Sequence, residues 1–521
     1  MRTKKSTINM ITAVVSQVIV IALGFISRKV MIDSVGVEYL GINGLMGNIL
    51  IILSLAESGI GAAIVYALYK PLAENDVVKI KGLMNFYKKT YRSLAIFTAI
   101  VGISVIPFLG RLMKNNTVEN YIIIYLLFLF SSVCSYLFSY KVSINNADQN
   151  KYLYTFSNTV TQIFVLILKV IILKVTKNYI LFLSVDIFAT LTKNIIFSKI
   201  VDKKYPYLKE KNNTKLDKET RNTLLKNVKG LFIGKIGYII STSSDNLVIS
   251  SKISIKTVGL YSNYTTLTSA VYGFVSIFIS SISASVGNLV AEESDKKIYE
   301  IFKVTTFINY WIYMFSYVSL YCLSEHFITL WLGKKYIMGK SVLLVILVNF
   351  LIDGMLEPIG TVKNAAGIYY VDRYVPIIAA VFNLTLSLIL VKPLGIVGVF
   401  LATILSKVFF TFWINPLLVF KMVFKKSPVK YFIKVLFRIG MIMMIAFAMN
   451  LILSSWLVEY SLMNFIIKMI ICLILLNIVF ITFYYKNDEF KYLFNILNSI
   501  KDSINNKIRS RIVEIGGNKC D

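Results

Sequence analysis

The residues able to do chemistry here are charges placed inside long apolar runs. A charge at mid-membrane costs on the order of 3 kcal/mol or more, so it normally faces a cavity or a partner. Arg28 and Lys29 stand near the end of the first apolar run, and Glu57 lies near the centre of the second, in Ser54-Leu-Ala-Glu57-Ser58-Gly-Ile-Gly61. Lys235 and Asp245 share the seventh, where Gly237, Ser241 and Asp245 recur at i, i+4 and i+8 and so share one helical face. Asn349, Asp353 and Glu357 repeat that spacing in the tenth, just ahead of Pro358, and Lys407 is midway along the twelfth. Short acidic side chains cannot reach far toward water. They should line a cavity, pair across helices, or bind a coupling proton or sodium ion. Pro358 can break its helix and free backbone carbonyls near that acidic stripe. Basic and acidic groups in one bundle suggest an anionic cargo and a cationic driver.

Each charge also has a plainer reading. Arg28 and Lys29 are close enough to the surface to lift their heads into water while their stems stay in hydrocarbon. Asp186 and Lys193, seven apart in the sixth run, read as a salt bridge along one helix or as separate helix-end charges. Lys169 and Lys468 read as end charges or packing partners. His326, beside Glu325, is the only histidine and reads as structural. One histidine cannot build a His-rich metal centre. Cys134, Cys322, Cys472 and Cys520 are too far apart in sequence to indicate a disulfide framework or a CxxC site.

The elements that must position these groups follow from composition. The chain has 521 residues, 56% of them hydrophobic and 16% charged, with a mean hydropathy of +0.69. That is too apolar for one water-soluble core and fits an all-α polytopic membrane protein. Fourteen stretches are long enough to cross a bilayer. They run roughly 7–32, 42–69, 90–110, 120–140, 153–173, 178–198, 230–251, 258–290, 304–325, 341–360, 375–391, 395–420, 433–455 and 462–485. The stretch at 258–290 exceeds one crossing and is expected to include a tilted or interfacial turn. The basic start Met-Arg-Thr-Lys-Lys precedes an apolar run too long for a signal peptide, so the first helix is expected to be retained.

Lys and Arg concentrate on one set of alternate loops, which places both termini in the cytoplasm. The formal charge of +29 then lies mostly against the anionic inner leaflet, and nucleic acid need not be invoked. The organisation is 6 + 6 + 2. It comprises an N-terminal six-helix lobe at 1–200, a cytoplasmic linker at 201–229, a C-terminal six-helix lobe at 230–420, an extra helix pair at 421–485 and a tail at 486–521. The tail shows apolar residues at helical spacing and reads either as an amphipathic surface helix or as a solvated end. Val35-Gly36-Val37-Glu38-Tyr39-Leu40-Gly41 after the first run and Val258-Gly259-Leu260-Tyr261-Ser262-Asn263-Tyr264 after the seventh are weakly alike, as in parallel repeats. The short outer loops leave no room for the catalytic domain of a glycan polymerase or ligase, and no GxxxxGK[ST] motif offers ATP coupling.

Taken in order, Leu23-Gly-Phe-Ile-Ser-Arg28-Lys29, Gly36-Val-Glu-Tyr-Leu-Gly-Ile-Asn-Gly, Leu53-Ser-Leu-Ala-Glu57-Ser-Gly-Ile-Gly61, Ser244-Asp245-Asn246, Val258-Gly-Leu-Tyr-Ser-Asn-Tyr264 and Ala284-Ser-Val-Gly-Asn-Leu-Val-Ala291 are a familiar set. With them the chain resembles the Wzx-type polysaccharide and oligosaccharide-lipid flippases of the multidrug/oligosaccharidyl-lipid/polysaccharide exporter superfamily. The resemblance implies two six-helix lobes in a V around a central cavity, plus two extra C-terminal helices. It implies a bacterial plasma-membrane protein, with no enzyme activity and no cofactor. The cargo would be an undecaprenyl-pyrophosphate-linked oligosaccharide, moved outward by alternating access for capsule or O-antigen synthesis, alongside the polymerase and chain-length machinery. Arg28 matches the cationic cavity position. Lys29, Lys235, Lys252 and Lys407 are substrate-side candidates chosen by location. Glu57, Asp245, Asn349, Asp353 and Glu357 are the cavity or H+/Na+ side. The nearest rivals are a MATE-like drug/cation antiporter and a lipid II flippase.

Overall fold

The computed structural model describes residues 2–57, 60–114, 117–148, 151–208, 216, 236–237, 239–240, 243–292, 295–366, 368 and 371–495. The main elements among them are helices. The first seven are α1 (Arg2–Val35), α2 (Val37–Leu53), α3 (Ile60–Glu74), α4 (Val77–Val105), α5 (Tyr121–Ala147), α6 (Lys151–Thr176) and α7 (Tyr179–Lys204). After α8 (243–252) come α9 (Ile255–Glu292), α10 (Asp295–Trp331), α11 (Lys340–Ala365), α12 (Val375–Ser406), α13 (Phe412–Val419), α14 (Val429–Trp456) and α15 (Leu462–Tyr484).

Nine helical runs among the described residues are long and apolar enough to cross a membrane. The longest, Val375–Phe424, has 50 residues, about 75 Å at 1.5 Å per residue and so enough for two of the expected crossings. Pro393 and Gly395 bend it: the proline cannot donate to the helix ladder, and Gly395 sits at φ 57°, a backbone that side chains disfavour. The second expected crossing is interrupted. A tight 3₁₀ turn at Ser54–Glu57 separates α2 from α3 and carries Glu57. The turn expected within 258–290 is absent, because α9 runs unbroken for 38 residues. Helix α7 continues to Lys204, into the start of the predicted linker.

The chain forms two compact units. The first comprises Met1–Phe278, Ile328–Asn349 and Gly367–Ile414. In it α1 packs on α6, α4 on α5, and α5 and α6 on α7. Its core is a cluster in which Leu68, Leu83, Tyr87 and Tyr91 of α3 and α4 meet Tyr136 and Ile144 of α5 and Phe197 and Val201 of α7. The second comprises Ile279–Phe327, Phe350–Ala366 and Asn415–Asp521. There the extra helices pack on α10 through rings. Phe302 meets Phe420, Phe424 and Tyr431, and Phe307 and Tyr310 meet Phe480 and Tyr484.

Candidate functional site

Helix α1 presents two faces near its end. Phe25 and Lys29, one turn apart, both meet Trp331: the rings lie edge to face at 4.8 Å, and Lys29 Nζ donates to the Trp331 carbonyl at 2.7 Å. That carbonyl ends α10, where carbonyls lack helical partners and attract cations, so Lys29 acts as a cap. Arg28 points to a different neighbour. Its Nη1 donates to Ser262 Oγ at 2.7 Å and Asn263 Oδ1 at 3.0 Å, both on α9. No carboxylate among the described residues pairs with it. Among the described residues, a partly buried guanidinium is thus held by neutral groups alone.

The same seam between α1–α2 and α8–α9 is closed by backbone. A Cβ on Gly41 would fall on the Ile255 carbonyl, and one on Gly259 would fall on the Val37 carbonyl. Only glycine at both positions lets α2 and α9 meet this closely. Glu38 and Lys256 flank the crossing at 3.4 Å. Lys114 caps the end of α8, its N–H donating to the Ser250 carbonyl at 3.0 Å and its Nζ to the Lys252 carbonyl at 3.1 Å. Lys252 itself is exposed.

Asp245 of α8 belongs to a second polar group within the first unit. Thr403 Oγ1 lies 3.2 and 3.1 Å from the two Asp245 carboxylate oxygens and 3.3 Å from the Val399 carbonyl. Asn383 Nδ2 donates to Thr403 Oγ1 at 2.8 Å, and Ser244 Oγ donates to Asn383 Oδ1 at 3.2 Å. One turn beyond Asn383, the fully buried Ser387 hydroxyl has no hydrogen-bond partner among the described residues. The Lys407 ammonium acts electrostatically on Asp245. Lys407, assigned to the cargo side by location, therefore acts on a carboxylate assigned to the ion side. Lys235 lies outside the described residues, while Gly237, from the same predicted face, lets α12 approach: a Cβ there would meet the Pro376 backbone.

The other acidic candidates are elsewhere. Glu57 is hydrogen-bonded by the Tyr91 and Tyr136 hydroxyls, in the core of the first unit. The Asn349/Asp353/Glu357 stripe lies on α11 as expected, yet its members have different surroundings. Asn349, in the first unit, donates to the Val345 and Phe400 carbonyls, both at 3.0 Å. Glu357, in the second, accepts from Tyr313 Oη at 3.1 Å, with Asp353 nearby. Pro358 does not break α11. Its missing N–H frees the Gly354 carbonyl, and Asn309 Nδ2 of α10 donates to it at 2.7 Å. A side chain thus satisfies the acceptor that the proline exposes.

One expected pairing is corrected. Asp186 does not pair with Lys193 along α7. It pairs with Lys169 of α6, whose ammonium also lies 4.1 Å from the Phe182 ring centre. Lys193 donates to Asn158 Oδ1 at 2.9 Å. Residues seven apart on a helix share a face but are too distant to touch, so each reaches α6 instead. His326, read as structural, is buried, with Nε2 3.0 Å from the Ser461 carbonyl.

Sequence alone does not single out Ser262, Asn263, Asn383 and Thr403 as site residues. Ser262 and Asn263 stand in the Val258–Tyr264 motif, but nothing in sequence names Arg28 as their partner. Asn383 and Thr403 carry a usable signal, since each is an amide or hydroxyl inside an otherwise apolar run.

No family model and no curated protein sequence matches the chain. Solved structures do. The lipid II flippase MurJ in an inward closed conformation matches with a TM-score of 0.64 at 17% identity, covering 92% of this chain and 99% of that one. The MATE multidrug transporter DinF-BH matches at 0.62 with 14% identity, covering 81% and 97%. The Vibrio cholerae MATE transporter VcmN in the bent form matches at 0.56 with 14% identity, covering 82% and 99%. The chain is a multi-pass membrane protein with the helical fold that MurJ shares with MATE transporters of the MOP superfamily.

Proposed function

We propose that this protein is a flippase for undecaprenyl-pyrophosphate-linked oligosaccharides. It carries them from the cytoplasmic to the outer face of a bacterial plasma membrane by alternating access, with both termini in the cytoplasm. A sugar-diphosphate head cannot cross about 30 Å of hydrocarbon unaided, while a polyprenyl tail gains by remaining in lipid. A helical bundle with an internal cation lets the head cross inside and the tail follow outside.

The observation that carries this reading is Arg28, a guanidinium whose partners among the described residues are the neutral Ser262 and Asn263. Its two hydrogen bonds share one nitrogen. A diphosphate offers charge-assisted, bidentate bonds roughly twice as strong as neutral ones. Cargo arriving from the cytoplasm would exchange these bonds for phosphate bonds and so loosen α1 from α9. By the predicted topology the Gly41–Gly259 seam is at the outer face, so loosening it opens the exit. A ligand shifts a conformational equilibrium only by binding one state better, and this exchange supplies that difference.

Coupling to a cation is assigned to Asp245, a carboxylate at the head of a hydrogen-bonded group with Thr403 and Asn383, whose negative charge can take up a proton or sodium ion. Glu57 and Glu357 accept from tyrosine hydroxyls in the present state and are the second choice. A lipid II flippase is the rival reading, favoured by the extent of the MurJ match. Both cargoes carry a diphosphate, so Arg28 does not separate them. The deciding test is the accumulation of lipid-linked intermediates in cells depleted of the protein. Sugar-repeat lipid on the cytoplasmic face supports this proposal, whereas lipid II there with normal surface polysaccharide refutes it.

A further inference from the structure

Among the described residues of the second unit is a group of buried thiol, imidazole and ammonium side chains that the proposed transport cycle does not use. They are Cys322 and His326 on α10, one turn apart, and Lys468 and Cys472 on α15, also one turn apart; their relative exposures are 8, 2, 8 and 1%. An antiparallel ladder of contacts brings the two pairs together. At one end His326 lies 3.0 Å from the Ser461 carbonyl, with its ring 5.6 Å from that of Phe465. Further along, Trp311 Nε1 donates to Asn477 Oδ1 at 3.2 Å, and Phe307 stacks with Phe480 at 5.2 Å. Cys322 lies between the α10 members of this ladder, and Lys468 and Cys472 lie between the α15 members. The two sulfurs are within hydrogen-bonding reach of each other, and the Lys468 ammonium acts electrostatically on both Cys472 and His326. Cysteines far apart in sequence are thus neighbours.

We infer that Cys322 and Cys472 form an oxidisable dithiol, which a small neutral hydroperoxide converts to a disulfide joining α15 to α10. The arrangement supplies what the chemistry needs. Cys472 attacks the peroxide: an S–O bond forms, the O–O bond breaks, and the thiol proton leaves with the departing oxygen as water. Cys322 then attacks the Cys472 sulfenic sulfur, so that S–S forms, S–O breaks and a second water leaves. Two thiols are oxidised and one peroxide is reduced. Lys468 attracts the negative charge that gathers on sulfur during attack. The burial of both thiols favours hydrogen peroxide over a bulky disulfide such as oxidised glutathione. The product is a covalent tie between the last helix and the unit on which it packs, a connection otherwise made by ring contacts and single hydrogen bonds.

The test uses the full-length protein in lipid nanodiscs, with Cys134 and Cys520 replaced by serine. Hydrogen peroxide is expected to remove both remaining thiols together, as read by maleimide-polymer labelling after denaturation, and a dithiol reductant should restore both. Cys322→Ser or Cys472→Ser should abolish the reducible product. Lys468→Met is expected to slow its formation by roughly three- to tenfold, while Lys468→Arg stays within about twofold of the parent. Each variant is first checked for the parent's elution profile, and the Arg variant carries the comparison if the Met variant does not fold. Persistence of both thiols, irreversible over-oxidation without cross-linking, or equally fast cross-linking by oxidised glutathione would overturn the assignment.

Discussion

Gly41→Ala tests whether the seam between α2 and α9 is a closure that opens. In the structure an alanine Cβ would fall on the Ile255 carbonyl, 2.9 Å from its carbon and 3.2 Å from the Gly259 nitrogen. That Cβ would lie 1.9 Å from the Ile255 oxygen, and non-bonded carbon atoms normally pack at about 3.5–4.0 Å, so the helices must separate by roughly an ångström or more. The obstacle is backbone and cannot rotate away. Overpacking of this kind costs about 1–3 kcal/mol. Alanine gains about 0.5–1 kcal/mol over glycine in either state of the helix, which cancels between open and closed forms. A differential cost of about 1–3 kcal/mol shifts a two-state equilibrium toward the open form by roughly 5- to 150-fold. The assay is modification of Val258→Cys, a fully buried reporter beside Gly259, by an impermeant maleimide in a chain without its four natural cysteines. Gly47→Ala is the control, because a Cβ there meets nothing within 4 Å. Unchanged labelling in Gly41→Ala, or an equal rise in Gly47→Ala, would refute the reasoning.

Other substitutions probe separate links. Asn309→Leu should lower thermal stability in detergent by the equivalent of about 1–3 kcal/mol, because the Gly354 carbonyl loses its donor. Pro358→Ala should recover much of that loss by restoring the helical N–H, and thermal shift of the double variant checks it. Lys169→Met should destabilise by about 1–3 kcal/mol and Lys169→Met with Asp186→Leu by less, since removing both charges leaves neither unpaired. A double-mutant cycle in chemical denaturant measures this. Asp245→Asn should flatten the dependence of transport on the H+ or Na+ gradient, whereas Lys252→Gln should not; initial rates under imposed gradients distinguish them.

Much of the fold was legible because lipid leaves few options. Apolar runs of about 20 residues must be helices, so crossings such as 120–140 and 462–485 reappear as α5 and α15. The breaks were harder to read. The turn before α3 and the joined run through Gly395 depend on local backbone that hydropathy does not encode. A charge inside an apolar run marks a candidate site residue, and Arg28 and Asp245 both stand out for that reason. Their partners do not, because Ser262, Asn263, Asn383 and Thr403 are uncharged and their pairings span long sequence separations. The same limit explains Lys169. Spacing along one helix linked Asp186 to Lys193, but the pair that forms is between helices. Cys322 and Cys472 likewise met only through the register of α10 and α15.

The central claim is tested most directly with purified protein in liposomes bearing a fluorescent undecaprenyl-pyrophosphate oligosaccharide in one leaflet. The wild-type chain should move the head group to the opposite leaflet, and a correctly folded Arg28→Ala should reduce that rate by at least about tenfold, since charged hydrogen bonds are worth about 1.5–3 kcal/mol. Wild-type movement no faster than in empty liposomes, or an undiminished rate in Arg28→Ala, would contradict the account.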